Sequence, residues 1–149
     1  MFKKTEIFAV GSDHAGFALK EFLKDKLREA GYIVKDYGAF SPDSVDYPDV
    51  AHLLAAAVDN GVHKAGMLVC GSGNGVCMVA NKYPNVRAAL CWNIEQARLT
   101  RMHNNANIIC FPGRFIDFDE ASQALTEFLT TNFEGGRHQA RVNKIPITF

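Results

Sequence analysis

The nine residues Met67-Leu-Val-Cys70-Gly-Ser-Gly-Asn-Gly75 run an apolar segment into a thiol and then into a glycine-rich turn. Gly66 to Val69 are small or apolar throughout and read as a buried parallel strand. Gly71, Gly73 and Gly75 allow the backbone to turn its N–H groups inward with no Cβ in the way. The segment that follows, Val76 to Lys82, reads as a short helix whose first amide donors are unpaired. This pattern sets Cys70 beside an anion-binding nest, where partial positive charge favours thiolate over thiol. The same residues also fit a plainer outcome, in which Cys70 is a small core residue closing a strand.

Outward from this stretch, apolar runs alternate with helical periodicity. Ile7 to Val10 read as a first strand; Leu19, Phe22, Leu23, Leu27 and Ala30 then recur at spacings of three and four and stop at Gly31. Ile33 to Tyr37 form a second strand, and a helix opening at Asp49 carries Val50, Leu53, Leu54, Ala57 and Val58 on one face. Beyond the central strand come Arg87 to Cys91 as a fourth strand, Ile94 to about Met102 as helix, Asn107 to Phe111 as a fifth strand, and a last amphipathic helix through Ala121, Ala124, Leu125, Phe128 and Leu129. Strict alternation implies right-handed βαβ units, hence a three-layer α/β/α Rossmann-like fold with a five-stranded parallel sheet. Such sheets bind ligands at the carboxyl ends of their strands. Residues 1–149 read as one domain with a basic tail from about residue 134, and the Ala39 to Pro48 loop is long for a strand-to-helix link.

Lys plus Arg and Asp plus Glu both number 16, so no overall field recruits nucleic acid or an acidic membrane, and any anion site must be local. The four cysteines, Cys70, Cys77, Cys91 and Cys110, form no C-x-x-C pair, and no apolar run approaches the ~18 residues of a membrane span. The expectation is a cytoplasmic protein with reduced thiols.

Gly11-Ser-Asp13-His14-Ala-Gly16 follows the first strand, so Asp13 and His14 should share the carboxyl edge with Cys70. A carboxylate beside an imidazole can orient it as a proton donor or phosphate ligand, although Asp13 alone would also serve as a helix cap. Met102-His103-Asn104-Asn105 closes the fourth helix, where a histidine can simply compensate the helix dipole. Arg114 lies just beyond the fifth strand, and Gly135-Gly-Arg137-His138-Gln-Ala-Arg141 adds two guanidiniums four residues apart, on one face if the tail is helical. Planar forks of this kind suit phosphate, while a solvated basic tail is the plain alternative. The five histidines show no metal-ligand spacing, the glycine turn lacks the Lys-Ser/Thr of a P-loop, and Gly11 to Gly16 is no dinucleotide fingerprint.

Taken in order, Asp13-His14, Asp46-Tyr47-Pro48, Cys70 to Gly75, Ala80-Asn-Lys82, His103-Asn104, Gly113-Arg114 and Gly135 to Arg141 resemble the ribose-5-phosphate isomerase B family, which also holds the galactose-6-phosphate isomerase subunits. The resemblance spans nearly the whole chain. It implies aldose-ketose isomerisation between ribose 5-phosphate and ribulose 5-phosphate, within the pentose phosphate pathway, with no metal or organic cofactor. Cys70 would be the base acting through an enediolate, with Ser72 and the amides of Gly71, Gly73, Asn74 and Gly75 holding the oxyanion. His103, assisted by Asp13, would open the sugar ring; Asn104 would bind sugar hydroxyls and Tyr47 would line the pocket. His14, Arg114, Arg137 and Arg141 would grip the phosphate. The resemblance further implies a homodimer or dimer of dimers whose sites are shared between subunits. In members that place glycine at the cysteine position, a glutamate base follows the glycine turn; here Val76 stands there, which marks the cysteine type. Isomerisation of a six-carbon sugar phosphate, a non-catalytic sugar-phosphate sensor, and a thiol switch of Cys70 with Cys77 are the competing readings.

Overall fold

In the computed structural model, which describes residues 1–147, the chain alternates β1 (Ile7–Ser12), α1 (Phe17–Glu29), β2 (Ile33–Asp36), α2 (Tyr47–Asp59), β3 (Ala65–Cys70), α3 (Asn74–Ala80), β4 (Ala88–Leu90), α4 (Ile94–Asn104), β5 (Ile108–Pro112) and α5 (Phe118–Thr130), followed by α6 (Arg137–Val142). All five expected strands form one parallel sheet in the order β2-β1-β3-β5-β4. The three inner strands are almost wholly buried, as their near-continuous apolar runs require.

Alternating side chains feed two cores. On one face Val10, Met67, Val69, Ile109 and Phe111 pack against Leu19, Leu23 and Leu27 of α1, Ala97 of α4, and Ala121, Ala124, Leu125 and Phe128 of α5. On the other, Ala9, Leu68, Cys70, Ile108 and Cys110 meet Leu54, Ala55 and Val58 of α2 with Val76 and Ala80 of α3. Each fully buried leucine contributes about 2 kcal/mol over its exposed state.

Two helix starts differ from the sequence reading. Helix α2 begins at Tyr47 rather than Asp49, because Asp46 is the N-cap and Pro48 presets φ in the first turn. Tyr47 is therefore anchored on a helix. Helix α3 begins at Asn74 rather than Val76: Gly73 takes the left-handed conformation (φ 74°) that ends the turn, and Asn81 leaves the helix to bond the carbonyl and amide of Ala88. Helix α4 is closed at its start by Asn93, whose side chain accepts the Gln96 N–H at 2.9 Å.

A buried ion cluster ties α1 to β2. The Lys20 side chain is 0% exposed, its Nζ lying 3.0 Å from Asp36 Oδ1, and Lys24 Nζ reaches Asp36 Oδ2 at 2.7 Å. Lys20 also donates to the Ala39 carbonyl, which holds the start of the long loop leading to Tyr47. Burial works against a charged Asp36, yet hydrogen bonds from Lys24, the Gly38 amide and Lys20 outweigh it and hold the carboxyl below its usual range. A folded-state pKa below the unfolded value of about 3.9 gives a contribution that is full above that value and is lost as pH falls below it through the depressed folded pKa. Asp36→Asn should accordingly cost roughly 3 kcal/mol at pH 7, because Lys20 loses its buried carboxylate. Urea unfolding at pH 7 and from about pH 4 down to about pH 2 checks this: the gap between variant and wild type narrows below the unfolded carboxyl pKa, and a gap independent of pH would refute it.

Candidate active site

The sheet order reverses between β1 and β3, which opens a crevice at their carboxyl ends. Two loops meet there. The Asp13 amide donates to the Val69 carbonyl at 3.1 Å, and a Cβ at Gly16 would fall 2.5 Å from that same oxygen, so only glycine lets the first loop lie so close on β3. From the other side the loop after β5 clamps the glycine turn: Gly113 N–H donates to the Cys70 carbonyl at 2.8 Å and Arg114 N–H to the Gly71 carbonyl at 3.0 Å. Asp13, His14, Tyr47, Cys70, Gly71, Ser72, Gly75 and Arg114 line one cavity of about 340 Å³.

Within it, Cys70 is buried at the end of β3. Asp13, also buried, accepts the Gly16 N–H at 2.8 Å, which leaves its second oxygen unused by that bond. The sequence pairing of Asp13 with His14 does not form a carboxylate–imidazole bond; His14 Nδ1 instead meets the Val45 amide at 3.3 Å. Adjacent residues leave the strand in different directions, so the long loop, rather than Asp13, orients the ring. The Tyr47 ring covers Gly75, where a Cβ would lie 2.7 Å from it. Ser72 Oγ accepts the Asn74 N–H at 3.3 Å, and Gly73 turns the chain so that α3 starts at Asn74, directly after the turn. Arg114 stands over Gly71, where a Cβ would lie 3.2 Å from its guanidinium. The cavity thus combines a thiol, backbone donors, an imidazole and a guanidinium, a set that can hold a phosphorylated substrate and stabilise an oxyanion next to a base.

Phe115 also lines the cavity and was not anticipated; its ring tilts against Trp92 at 6.0 Å. Its one sequence signal is its place next to Arg114.

The remaining expected residues gather elsewhere. Helix α4 starts at the carboxyl edge and runs back, so His103 stands about 14 Å along the helix from its first residue. There His103 stacks on His138 with centroids 4.3 Å apart and planes at 10°, and Glu134 Oε2 lies 3.7 and 3.5 Å from the two Nε2 atoms. Burial and the neighbouring His103 push the His138 pKa down. Helix α6 carries Arg137 and Arg141 beside this stack, as the four-residue spacing requires. Asn104 is the last residue of α4. Among the described residues, His103, Glu134 and His138 are the one trio whose ligand atoms lie within 4.8 Å of each other. Parallel rings do not suit a shared ion, since a cation in the plane of one imidazole stands out of the plane of the other.

The other thiols are spent in packing. Cys77 bonds the Ala88 carbonyl at 3.5 Å and is pulled down by hydrogen bonding to Cys110, while burial pushes Cys91 up to about 12.

An α/β fold with a thiol, an amide turn and phosphate-type ligands at its topological switch point defines a class of small-molecule enzyme. Residues 8–145 match the Ribose/Galactose Isomerase family, and the chain belongs to it. It is 43% identical over 138 residues to a probable ribose-5-phosphate isomerase B of Mycoplasma genitalium, covering 91% of each chain. A ribose 5-phosphate isomerase of Thermotoga maritima superposes with a TM-score of 0.92 at 45% identity, over 95% of this chain and 97% of the other. The Mycoplasma genitalium ribose-5-phosphate isomerase B with bound ribulose-5-phosphate superposes at 0.90 with 42% identity, over 93% of both chains.

Proposed function

We propose that the protein interconverts ribose 5-phosphate and ribulose 5-phosphate in the cytoplasm, as a homodimer or dimer of dimers with shared sites and without a cofactor. The observation that carries the reading is the single cavity lined by Cys70 with Gly71, Ser72 and Gly75 of the turn, and by Arg114 and His14. In the open-chain aldose, the Cys70 thiolate takes the proton from C2, and the electron pair moves onto the C1 oxygen. The amides of the turn, with Ser72, hold that enediolate oxygen as its charge develops. The thiol then returns the proton to C1 while the C2 hydroxyl proton passes to the C1 oxygen, leaving a hydroxyl at C1 and the ketone at C2.

Ring opening belongs to His103 with Asp13, sugar hydroxyls to Asn104, and the phosphate to His14, Arg114, Arg137 and Arg141. His103, Asn104 and the two tail arginines do not line the Cys70 cavity of their own chain. A second copy, docking the end of α4 and α6 against the first copy's cavity, supplies them.

The direct test follows ribulose 5-phosphate formation from ribose 5-phosphate, with and without chelator, alongside allose 6-phosphate and galactose 6-phosphate. Chelator-resistant turnover selective for the five-carbon substrate supports the reading, and turnover confined to a six-carbon sugar phosphate refutes it. Arg137→Ala and Arg141→Ala should each raise KM about tenfold or more with a smaller change in kcat, because a charge-assisted phosphate contact made throughout the reaction is lost. Unchanged KM in both variants would remove them from the phosphate site.

A further inference from the structure

At the opposite edge of the sheet a second, wider cavity of about 510 Å³ opens beneath the amino ends of the strands. Arg87, Arg101, His63 and Lys64 line it. Arg101 is 5% exposed; its Nη1 donates to Asn105 Oδ1 at 2.9 Å and to the Ala106 carbonyl at 2.5 Å, while its buried Nε has no hydrogen-bond partner among the described residues. Arg87 Nε donates to the Asn105 carbonyl at 2.9 Å, so the two guanidiniums share one asparagine. His63 is 6% exposed, with Nε2 2.8 Å from the Tyr37 hydroxyl and a buried Nδ1 that has no hydrogen-bond partner among the described residues.

Two carboxylates also border the cavity, and neither answers these cations. Asp59 Oδ1 accepts the Asn85 N–H at 2.8 Å and Glu6 Oε2 accepts the Lys3 N–H at 3.4 Å. Among the described residues, no carboxylate oxygen stands within 4.0 Å of Arg87 or Arg101. Arg101 is withdrawn from water against the Phe2 and Phe128 rings, 4.5 and 5.7 Å from its guanidinium carbon, and Arg87 beside it is half-buried; a buried cation without a counter-charge is costly, as is each buried donor left unsatisfied. Desolvation pushes the pKa of both guanidiniums down, that of Arg101 to about 10 with Arg87 adding to it. The Tyr37–Nε2 bond allows either direction; in the tautomer where Tyr37 donates to Nε2, the His63 Nδ1 carries the hydrogen and is a further donor.

We propose that this cavity is a second anion site, in which Arg87, Arg101, His63 and Lys64 bind a phosphate group, as free phosphate or as the phosphate of a small phosphomonoester. Planar guanidiniums beside a neutral imidazole and a flexible ammonium match the oxygens of a dianion. The site lies at the opposite edge of the sheet from Cys70, and its occupancy is independent of the isomerase reading.

The test follows the side-chain Nε–H of Arg101 and the ring Nδ1 of His63 by NMR during titration with inorganic phosphate and, separately, ribose 5-phosphate. Both signals should shift saturably in the wild type and equally in a His14→Ala/Arg114→Ala variant, whose Cys70 cavity is impaired. Arg87→Gln, and the exposed Lys64→Gln should the first variant fold poorly, should weaken that binding about tenfold while leaving kcat and KM for isomerisation unchanged. A larger response to ribose 5-phosphate than to phosphate would assign the site to a phosphomonoester, and the reverse to free phosphate. No saturable shift in the wild type, or an unchanged affinity in both variants, overturns the proposal. A change of oligomeric mass in Arg87→Gln also overturns it, since the cations would then serve contact with another copy.

Discussion

Cys70→Ala should lower kcat for ribose 5-phosphate isomerisation by about 10²–10⁴-fold, the usual weight of a positioned general base, with little change in affinity for a phosphorylated sugar analogue. The asymmetry follows from what is removed. The thiol acts on a carbon-bound proton, whereas the phosphate is held by other groups on the cavity wall. Cys70 belongs to a well-packed layer with Val76 and Cys110, and alanine takes away only one buried atom there, so the fold should persist. Steady-state kinetics with isotope exchange at C2 provide the measurement. Wild-type turnover in the variant would remove Cys70 from the reaction, while lost turnover together with lost analogue affinity would make it a binding group.

Mixing two dead variants should restore activity. His103→Ala should also fall by about 10²-fold as a ring-opening acid/base is lost, and its site is separate from Cys70 within one chain. When Cys70→Ala and His103→Ala subunits exchange at random, half the dimers are hybrids, and each hybrid keeps one complete site of two. About a quarter of wild-type activity should therefore return if the sites are shared across a two-fold interface. Native mass spectrometry would verify exchange in the same sample. Hybrids that form and remain inactive would place His103 and Cys70 in the same chain's site, or His103 outside the chemistry.

Local periodicity and strand direction account for the features legible in the sequence. Apolar periodicity identified the five strands and the helices between them, because burial on two faces demands it wherever the strands lie. Cys70, the glycine turn, Asp13, His14 and Arg114 were placed together correctly, since residues just after parallel strands must share the carboxyl edge. Tyr47 was legible as a pocket residue but not as part of a helix, because Asp46 and Pro48 form a start signal that the longer apolar stripe from Val50 obscured. The pairing of His14 with Val45 and the Phe115 wall had no local signal at all, as each depends on how a loop folds over its neighbour.

Strand number, parallel direction and the edge of the sheet that carries the thiol and its amide turn were determined by the sequence itself, since hydrophobic period and chain direction are local properties. The strand order, with its reversal between β1 and β3, was decided only in three dimensions, where packing selects among topologies that share one pattern of elements. So was the division of the expected site residues into a Cys70 cavity and a separate His103, His138 and Glu134 cluster, because a helix of eleven residues carries its last turn away from the edge where it began. The pairing of Arg87 with Arg101 around one asparagine likewise emerges only from tertiary structure, for nothing in their fourteen-residue separation brings two guanidiniums together.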